Sequence, residues 1–291
     1  MKITWLLLDA TQLAWAAFHT TGGLQYNSTP TGVIYGTLAM VLRIQREYPN
    51  SQLVFCFDHG KSFRYELLPT YKSKRKERRE SSEKERAAYA AVCQQISELK
   101  TKHLAAIGYK NIFFYKGYEA DDLIASIAFN LPEGDHGVIV SSDHDMFQLL
   151  RSNVSIYNPY KDDWLMEHTF KERYGISPKR WIAVKALAGC NTDNIPGITG
   201  VGEASAVKYL RGNLKESSIY YRRIEEGIAQ GILQTNRALV KLPFEGTPVP
   251  ELRVDDDLNW GPTMKRLGIR TLDPEPGYYK RKNNGQKKTA C

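Results

Sequence analysis

The sequence predicts an α/β protein in which a central, mostly parallel β-sheet is flanked by helices. Through about the first 160 residues, short apolar runs alternate with helix-like segments, a pattern typical of parallel strands joined by helices. The apolar runs are bounded by turn residues and have the length of buried strands. Acidic side chains stand where several of these runs end, which is where ligands gather in open α/β sheets.

Predicted strands and helices alternate along the first half of the chain. Strands are expected near residues 3–9, 53–58, 111–116, 137–142 and 154–158. Helices are expected near residues 32–48, 82–107, 120–130 and 144–150. In the second and third of these helices, apolar residues recur at helical spacing. Ser82 and Glu85 predict a capping box at the start of the second.

The composition is that of a soluble globular protein. The 291 residues are 42% hydrophobic and 25% charged, which is enough to bury a core without disulfides. No apolar run approaches the ~20 residues of a membrane span, and the amino terminus lacks a signal-peptide layout. The four cysteines form no CxxC pair, which favours reduced thiols in a cytoplasmic protein.

The net charge of +8 suggests an anionic polymer as a partner. Within this basic chain, acidic residues are concentrated at the ends of the apolar runs. Because so many like charges cannot all stay ionised without cations, the pattern predicts a metal site. Hard oxygen donors without zinc-like His or Cys spacing favour Mg²⁺ or Mn²⁺. The acidic residues are Asp9, Asp58, Glu119, Asp121, Asp122, Asp143 and Asp145.

A simpler interpretation is that aspartates at strand ends only cap the helices that follow them. Capping explains one or two of these residues. It does not explain Glu-x-Asp-Asp and Asp-x-Asp in succession.

A basic segment over residues 61–86 interrupts the alternation of strands and helices. From Lys72 to Arg86 it holds eight Lys and Arg against four Glu, so it cannot be buried in a core. Such a charge run is commonly a solvated helix face. Here it follows the strand that ends at Asp58, so we expect it to lie over the acidic edge and contact phosphates. The candidate contacts are Arg64, Lys72, Lys74, Arg75 and Lys76.

Residues 177–212 are predicted to be helical, with a glycine-rich loop before the last helix. Gly197, Gly200 and Gly202 would leave backbone N–H groups accessible, which suits a phosphate. The GxxGxG pattern alone is weak, and a plain helix–turn–helix corner has the same signature. Farther on, an amphipathic helix is expected over 213–240 and irregular chain over 243–262. The last fifteen residues are basic and poor in apolar side chains, which predicts a disordered tail.

Five stretches of the chain together resemble the structure-specific 5′ nucleases, or flap endonucleases. This family includes the 5′-nuclease domain of bacterial DNA polymerase I and small stand-alone phage enzymes. The stretches cover roughly residues 3–212. They are LLLDATQLAWAAFH, VFCFDHGKSFRYELLPTYKSKR, GYEADDLIASIA, VSSDHDMFQLL and GCNTDNIPGITGVGEASA.

The resemblance implies a domain organisation and an activity. A PIN-like nuclease core would span residues 1–175, with a helical arch at about 66–90. A DNA-binding unit with a helix–three-turn–helix would span 176–240, followed by an irregular region over 241–291. The enzyme would be a metal-dependent 5′-3′ exonuclease and flap endonuclease in DNA replication or repair. Its substrate would be DNA with 5′ flaps, overhangs or nicks, cleaved by a monomer in the cytoplasm, or in the host cytoplasm for a phage-encoded enzyme.

The resemblance also implies roles for individual residues. The first Mg²⁺ would be held by Asp9, Asp58, Glu119 and Asp121, with Asp122 beside it. The second metal position would use Asp143, Asp145 and Asp193. Tyr71 would stack on a base near the cut, and Lys72 and Arg75 would steady the scissile phosphate. A K⁺ ion is often bound at the hairpin formed by Gly197, Gly200 and Gly202.

Cys190 departs from the family pattern. The family usually has Gly-Asp-x-x-Asp-Asn-Ile-Pro-Gly here, whereas this chain has Cys190 at the first Asp position. Because a neutral thiol is a poor ligand for Mg²⁺, we expect a firm first metal site and a weak second one. Two alternatives remain open: a DNA-junction binding protein with weakened catalysis, and a PIN-type ribonuclease. The glycine-rich hairpin weighs against the ribonuclease.

Overall fold

The fold was analysed in a computed structural model, which describes residues 2–273. The disordered tail predicted for the last fifteen residues lies outside this range. The strands are β1 Thr4–Asp9, β2 Gln25–Tyr26, β3 Thr29–Pro30, β4 Ser51–Cys56, β5 Ile112–Phe113, β6 His136–Val140, β7 Val154–Asn158 and β8 Asp163–Leu165.

Helices connect these strands and form most of the second half of the chain. The first seven are α1 Ala10–Thr21, α2 Gly32–Glu47, α3 Arg64–Leu67, α4 Ser73–Glu80, α5 Glu83–Glu98, α6 Leu104–Ile107 and α7 Ala120–Phe129. The others are α8 Glu167–Tyr174, α9 Trp181–Ala188, α10 Glu203–Leu210, α11 Ile219–Ala229, α12 Ile232–Val240 and α13 Gly261–Arg266. A π-helical turn spans Leu99–His103, and 3₁₀ turns span His144–Leu149 and Pro178–Arg180.

Six strands form one sheet in the order β5-β4-β1-β6-β7-β8, and β2 pairs with β3 in a separate hairpin. The first five strands of the sheet are parallel, and β8 runs antiparallel to β7. The chain builds outward from β1 to β5, then returns to the other side of β1 with β6. The carboxyl end of β1 is therefore a topological switch point, where such sheets bind ligands. The predicted α/β class, with a mostly parallel sheet flanked by helices, is confirmed.

Alternate side chains of the central strands enter two different hydrophobic cores. On β1, Trp5 and Leu7 belong to one core, and Leu6 and Leu8 belong to the other. Because successive side chains of a strand point to opposite faces, both faces of this sheet are buried. This explains why the parallel strands read as continuous apolar runs in the sequence.

Different sets of helices cover the two faces of the sheet. The core that contains Leu6 also holds side chains of α1, α2 and α5, such as Leu13, Leu38 and Val92. The other core contains Leu123 of α7 together with Val184 of α9 and Ile224 of α11. The helical region after residue 177 therefore packs directly on the sheet.

Several predicted elements differ from those observed. The strand expected over 111–116 has only two residues, and the helix expected over 82–107 divides into α5, a π turn and α6. The helix expected over 213–240 is broken into α11 and α12 around Gly231, whose φ is positive. The helix predicted at 144–150 is present at that position, but it is a 3₁₀ turn. Elements without a predicted counterpart are α1, the β2–β3 hairpin, β8, α8 and α13.

Residues 243–260 form a C-terminal strap that runs beside the edge strand β5. The Asn111 side chain pairs with the Arg253 backbone through bonds of 2.7 and 2.8 Å, as a neighbouring strand would. Farther along, Asp255 N donates to Gln52 Oε1 at 2.7 Å, and Asn259 N donates to the Ile107 carbonyl at 2.7 Å. Within the described range, no helix is both long and apolar enough to cross a membrane.

Candidate active site

Four segments bring acidic side chains to the carboxyl edge of the sheet. Asp9 ends β1 opposite Cys56 of β4, so Asp58 lies just beyond the neighbouring strand. Asp143 follows β6 in the same way, and Asp121 lies in the first turn of α7. The convergence expected from the strand ends is therefore observed.

Three of these carboxylates also accept a backbone hydrogen bond at the start of a helix. Asp9 Oδ1 accepts from Gln12 N at 2.8 Å, and Asp143 Oδ1 accepts from Asp145 N at 2.8 Å. Asp58 Oδ1 accepts from Ala120 N, the first residue of α7, at 2.8 Å. The capping interpretation is thus correct for Asp9 and Asp143. The caps hold one oxygen of each side chain and fix its position at the edge.

The carboxylates at this edge repel one another. Burial, and then the charge of Asp58, raise the pKa of Asp9 to about 7. Burial raises the pKa of Asp121 well above its usual value, and Asp9, Asp143 and Asp58 raise it further. Asp121 forms no side-chain hydrogen bond or ion pair with any residue between 2 and 273. A divalent cation would relieve this repulsion, and an all-carboxylate donor set suits a hard cation.

The same side chains do not form a closed metal cage as they stand. Over residues 2–273, no group of three or more His, Cys, Asp or Glu is placed to hold a metal ion. Carboxylate oxygens are nevertheless suitable ligands for a cation, and a bound cation would reduce the repulsion among the carboxylates.

Two acidic residues predicted for a second metal are each paired with a cation of the chain. Arg75 Nη2 lies 2.7 Å from Asp193 Oδ1, and Arg75 Nε donates to the Thr192 carbonyl at 3.1 Å. Lys185 Nζ lies 2.8 Å from Asp145 Oδ1, which forms a second ion pair. Burial, and then Asp143, still raise the pKa of Asp145 to about 6.

Arg64 and Asp122 form a buried ion pair beneath the edge. Their side chains are 3% and 0% exposed, and two N–H···O bonds of 2.7 Å join them. Asp122 also accepts from the backbone N–H groups of Glu119 and Phe244, which occupies both of its oxygens. Arg64 donates in addition to Glu119 and to the Leu239 carbonyl. Neither side chain is available for the predicted role, Arg64 as a DNA contact and Asp122 beside the first metal.

Glu119 is held by three donors from the segment around α3. Arg64 Nη1 and the Tyr71 hydroxyl donate to its Oε2 at 3.2 and 2.8 Å, and Lys72 Nζ pairs with its Oε1. Burial alone would raise the pKa of Glu119, but Lys72 and Arg64 lower it below its usual value. Glu119 is therefore ionised. Burial alone would lower the pKa of Lys72, but Glu119 and Asp193 raise it, so Lys72 is a cation.

Tyr71 lies inside the protein. Its side chain is 2% exposed and meets the ring of Tyr65 edge to face at 5.6 Å between centroids. The predicted stacking of Tyr71 on a DNA base is incompatible with this burial. Its hydroxyl instead orients Glu119. By contrast, Lys74 and Lys76 on α4 are exposed, as expected for candidate DNA contacts.

Cys190 stands at the start of the loop that follows α9. Its backbone pairs with Ile195 in both directions, at 3.0 and 2.9 Å, and its Sγ lies 3.1 Å from Thr192 Oγ1. Burial, and then the charge of Asp193, raise the pKa of Cys190. Cys190 is therefore a neutral thiol rather than a thiolate at neutral pH.

The glycine-rich loop between α9 and α10 is tightly folded. Gly189 and Gly197 contact each other so closely that a Cβ on Gly197 would lie 2.1 Å from the Ala188 carbonyl oxygen. Gly200 has a φ of 79°, and Gly202 precedes α10. Among the described residues, the N–H groups of Gly200 and Gly202 have no hydrogen-bond partner. The loop thus presents two unpaired donors.

Three residues absent from the predicted site support it. Lys185 binds both Asp145 and Glu203, and the Glu203 carboxylate also lies 2.9 Å from His144 Nδ1. Asn236 of α12 donates to the Ala186 and Pro196 carbonyls, which ties the glycine loop to the helical region. A lysine inside an otherwise apolar helix, as in WIAVKALA, is the one signal that could have identified Lys185 from sequence.

The fold and this edge define a carboxylate-centred nuclease core. Residues 4–175 match the family described as 5′-3′ exonuclease, N-terminal resolvase-like domain. The 5′-3′ exonuclease of Buchnera aphidicola subsp. Schizaphis graminum is 33% identical over 219 residues, which cover 74% of this chain and 72% of that protein. DNA polymerase I of Pseudomonas aeruginosa is 32% identical over 210 residues, covering 71% of this chain but 22% of the polymerase.

The chain belongs to the 5′-3′ exonuclease family and is a 5′ nuclease, hence a phosphodiester hydrolase. Solved structures agree on the fold. Bacteriophage T5 5′-exonuclease with bound zinc superposes with a TM-score of 0.67 at 24% identity, covering 84% of this chain and 90% of that one. The catalytic core of Rad2 with DNA substrate gives a TM-score of 0.54 at 18% identity, covering 91% and 88%.

The buried Arg64–Asp122 pair generates a stability prediction. Arg64→Met keeps an apolar stem but leaves the Asp122 carboxylate buried without its cation. We expect a loss of about 3–5 kcal/mol in the free energy of unfolding, measured by urea titration. Arg43→Met is the matched control, because Arg43 pairs with Glu47 on the surface, and it should change stability by less than about 0.5 kcal/mol. Equal stabilities of the two variants would contradict the assigned role.

The raised pKa of Asp9 generates a pH prediction for the metal-free protein. The group titrates near 4 when unfolded and near 7 when folded, so its contribution is fully present at low pH and is lost as the pH rises between these values. In EDTA, Asp9→Asn should therefore raise the free energy of unfolding at pH 8 by about 2 kcal/mol and change little near pH 4. Glu133→Gln, an exposed control, should do neither. A pH-independent difference would show that Asp9 does not share the repulsion.

Proposed function

We propose that this 5′ nuclease is a divalent-metal-dependent 5′-3′ exonuclease and flap endonuclease that cleaves DNA. The observation that carries the proposal is the convergence of mutually repelling carboxylates with Lys72 and Arg75 at one edge of the sheet. The T5 flap endonuclease, which has this fold, is known in a complex with DNA and metal ions. Bacterial DNA polymerase I, of which this chain spans about a fifth, suggests replication or repair as the setting.

The first metal position is assigned to Asp9, Asp58 and Asp121, together with Glu119, whose Oε1 becomes available when Lys72 turns toward DNA. Mg²⁺ or Mn²⁺ suits these oxygen donors. Asp143 and its neighbours Asp145 and Asp193 would serve a second position. When bound, such ions supply a hydroxide nucleophile at neutral pH and take up charge on the phosphate.

Lys72 and Arg75 supply positive charge for the scissile phosphate. Ion pairs with Glu119 and Asp193 keep them at the edge where the phosphate would lie. Cations in this position stabilise the charge that develops in the transition state. Because Glu119 has two further donors, Arg64 and Tyr71, it stays in place if Lys72 turns toward DNA.

The glycine loop and α4 are suited to bind the DNA backbone on either side of the edge. The unpaired N–H groups of Gly200 and Gly202 can donate to phosphates of the DNA backbone. A K⁺ ion bound at this hairpin would also serve to bind the backbone. Lys72 N donates to the Asp193 carbonyl at 2.9 Å, and Asn194 Nδ2 donates to the Thr70 carbonyl at 2.9 Å. These bonds join the basic segment to the loop, so DNA bound by the loop would lie beside Lys72.

A second candidate function is a DNA-junction binding protein with weakened catalysis. The neutral thiol of Cys190, beside Asp193, favours it, because one carboxylate of the second metal position is missing. The ribonuclease alternative has no support beyond the shared carboxylate edge. Incubation with a labelled 5′-flap duplex in Mg²⁺ and in EDTA separates the two candidates. Cleavage in Mg²⁺ but not in EDTA supports the nuclease. Binding without cleavage in both conditions supports the junction-binding protein.

Removing single carboxylates should separate cleavage from binding. Asp121→Asn and Asp143→Asn, made separately, should each lower the single-turnover rate at least about a hundredfold and leave flap affinity in Ca²⁺ within about threefold. The reason is that carboxylates bind metal, whereas lysines and backbone amides bind phosphates. Glu133→Gln should be normal in both assays. Normal turnover in both Asp variants would remove the metal-site assignment.

Cys190 should limit the second metal position. Cys190→Asp should lower the Mg²⁺ concentration needed for half-maximal cleavage, because it restores a hard oxygen beside Asp193. Cys190→Ser should change this concentration little, since a neutral hydroxyl adds no charge. A Mg²⁺ titration of the three proteins on one flap substrate measures the difference. Coincident curves would show that position 190 has no part in metal binding.

A further inference from the structure

A cavity of about 310 Å³ lies at the amino edge of the sheet, opposite the acidic edge. It opens where β6 and β7 begin, and the first turn of α8 forms its far wall. Val154 and Met166 give it an apolar side, and Ser152 and Ser155 contribute hydroxyl groups. The proposed nuclease function uses none of these residues. The volume is in the range of small-ligand sites.

The cavity carries an excess of positive charge. Arg151 and Lys171 line it against one carboxylate, Glu167, and the lining also includes His136 and His168. Lys171 Nζ lies 2.6 Å from Glu167 Oε1, so this carboxylate is already paired. The Arg151 guanidinium remains, and it cannot lose its proton at physiological pH.

Arg151 has an unmet need for an acceptor. Its guanidinium lies over the Phe129 ring at 4.0 Å and donates no hydrogen bond to any residue between 2 and 273. Because Arg151 also lines the cavity, its guanidinium is available to an anion there. A guanidinium is suited to bind two oxygens of one anion side by side.

We propose that this cavity binds a small phosphate monoester, with its phosphate on Arg151 and its organic part against Val154 and Met166. The charge excess and the planar donor fork favour phosphate, and the neighbouring Ser152 and His168 can donate to its remaining oxygens. The cavity exceeds the needs of a bare anion, and its apolar wall suits a nucleoside. Inorganic phosphate and a nucleoside 5′-monophosphate share the recognised group and are distinguished by the test.

The test is calorimetric titration of the full chain in EDTA with three probes: inorganic phosphate, deoxyadenosine 5′-monophosphate and deoxyadenosine. Lys72→Ala serves as the background, because it removes a phosphate-binding cation from the active site. We expect the monophosphate to bind, inorganic phosphate to bind more weakly, and deoxyadenosine not to bind. Phosphate binding as tight as that of the monophosphate would overturn the nucleoside part of the proposal.

Two variants on the same background locate the binding. Arg151→Met should weaken binding of the monophosphate at least about tenfold, through loss of a charge-assisted contact. His168→Glu changes an exposed residue and places a negative charge beside the proposed phosphate position, so it decides the matter if Arg151→Met does not fold. Arg43→Met, a distant arginine, should bind normally. Unchanged affinity in Arg151→Met and His168→Glu, or no binding on the Lys72→Ala background, would overturn the proposal.

Discussion

Repulsion among carboxylates at the carboxyl edge of the sheet is the constraint on which the rest of the structure depends. The parallel strands bring Asp9, Asp58 and Asp143 together because their ends share one edge. Basic side chains of the same protein neutralise part of this negative charge. Arg64 neutralises Asp122 in the interior, and Lys72 pairs with Glu119 at the rim. The basic segment between β4 and β5 is thus a structural counterpart of the acidic edge as well as a candidate DNA surface.

The sequence was sufficient to predict the sheet and the position of the acidic edge. Apolar runs such as those ending at Asp9 and Asp58 mark buried strands, and parallel strands leave little freedom in where their ends meet. The assignment to a 5′ nuclease came from the resemblance of five stretches to that family, and it is confirmed by the family match. Some elements were not predicted because their sequences carry a weak signal. Helix α1 combines small and polar residues, and β8 is only three residues long.

The individual roles of polar side chains could not be predicted in the same way. Arg64 and Tyr71 belong to a strongly basic stretch, and nothing in their spacing shows that both side chains are buried. Asp122 directly follows Asp121, yet the helix rotates one carboxylate toward the edge and the other toward Arg64. Such a choice depends on partners distant in sequence, among them the Leu239 carbonyl and the Phe244 N–H group.

The C-terminal strap runs beside β5, the edge strand of the sheet. Edge strands present unpaired backbone groups that could recruit another chain, and the two-residue length of β5 limits this surface. The strap lies beside this edge without forming a strand. Its Arg253 backbone forms hydrogen bonds with the side chain of Asn111 rather than with the backbone of a strand. Its first residues also supply the Phe244 N–H group to Asp122. A chain shortened at residue 242 would therefore lose the backbone partner of Asn111 and one support of its acidic centre in a single step.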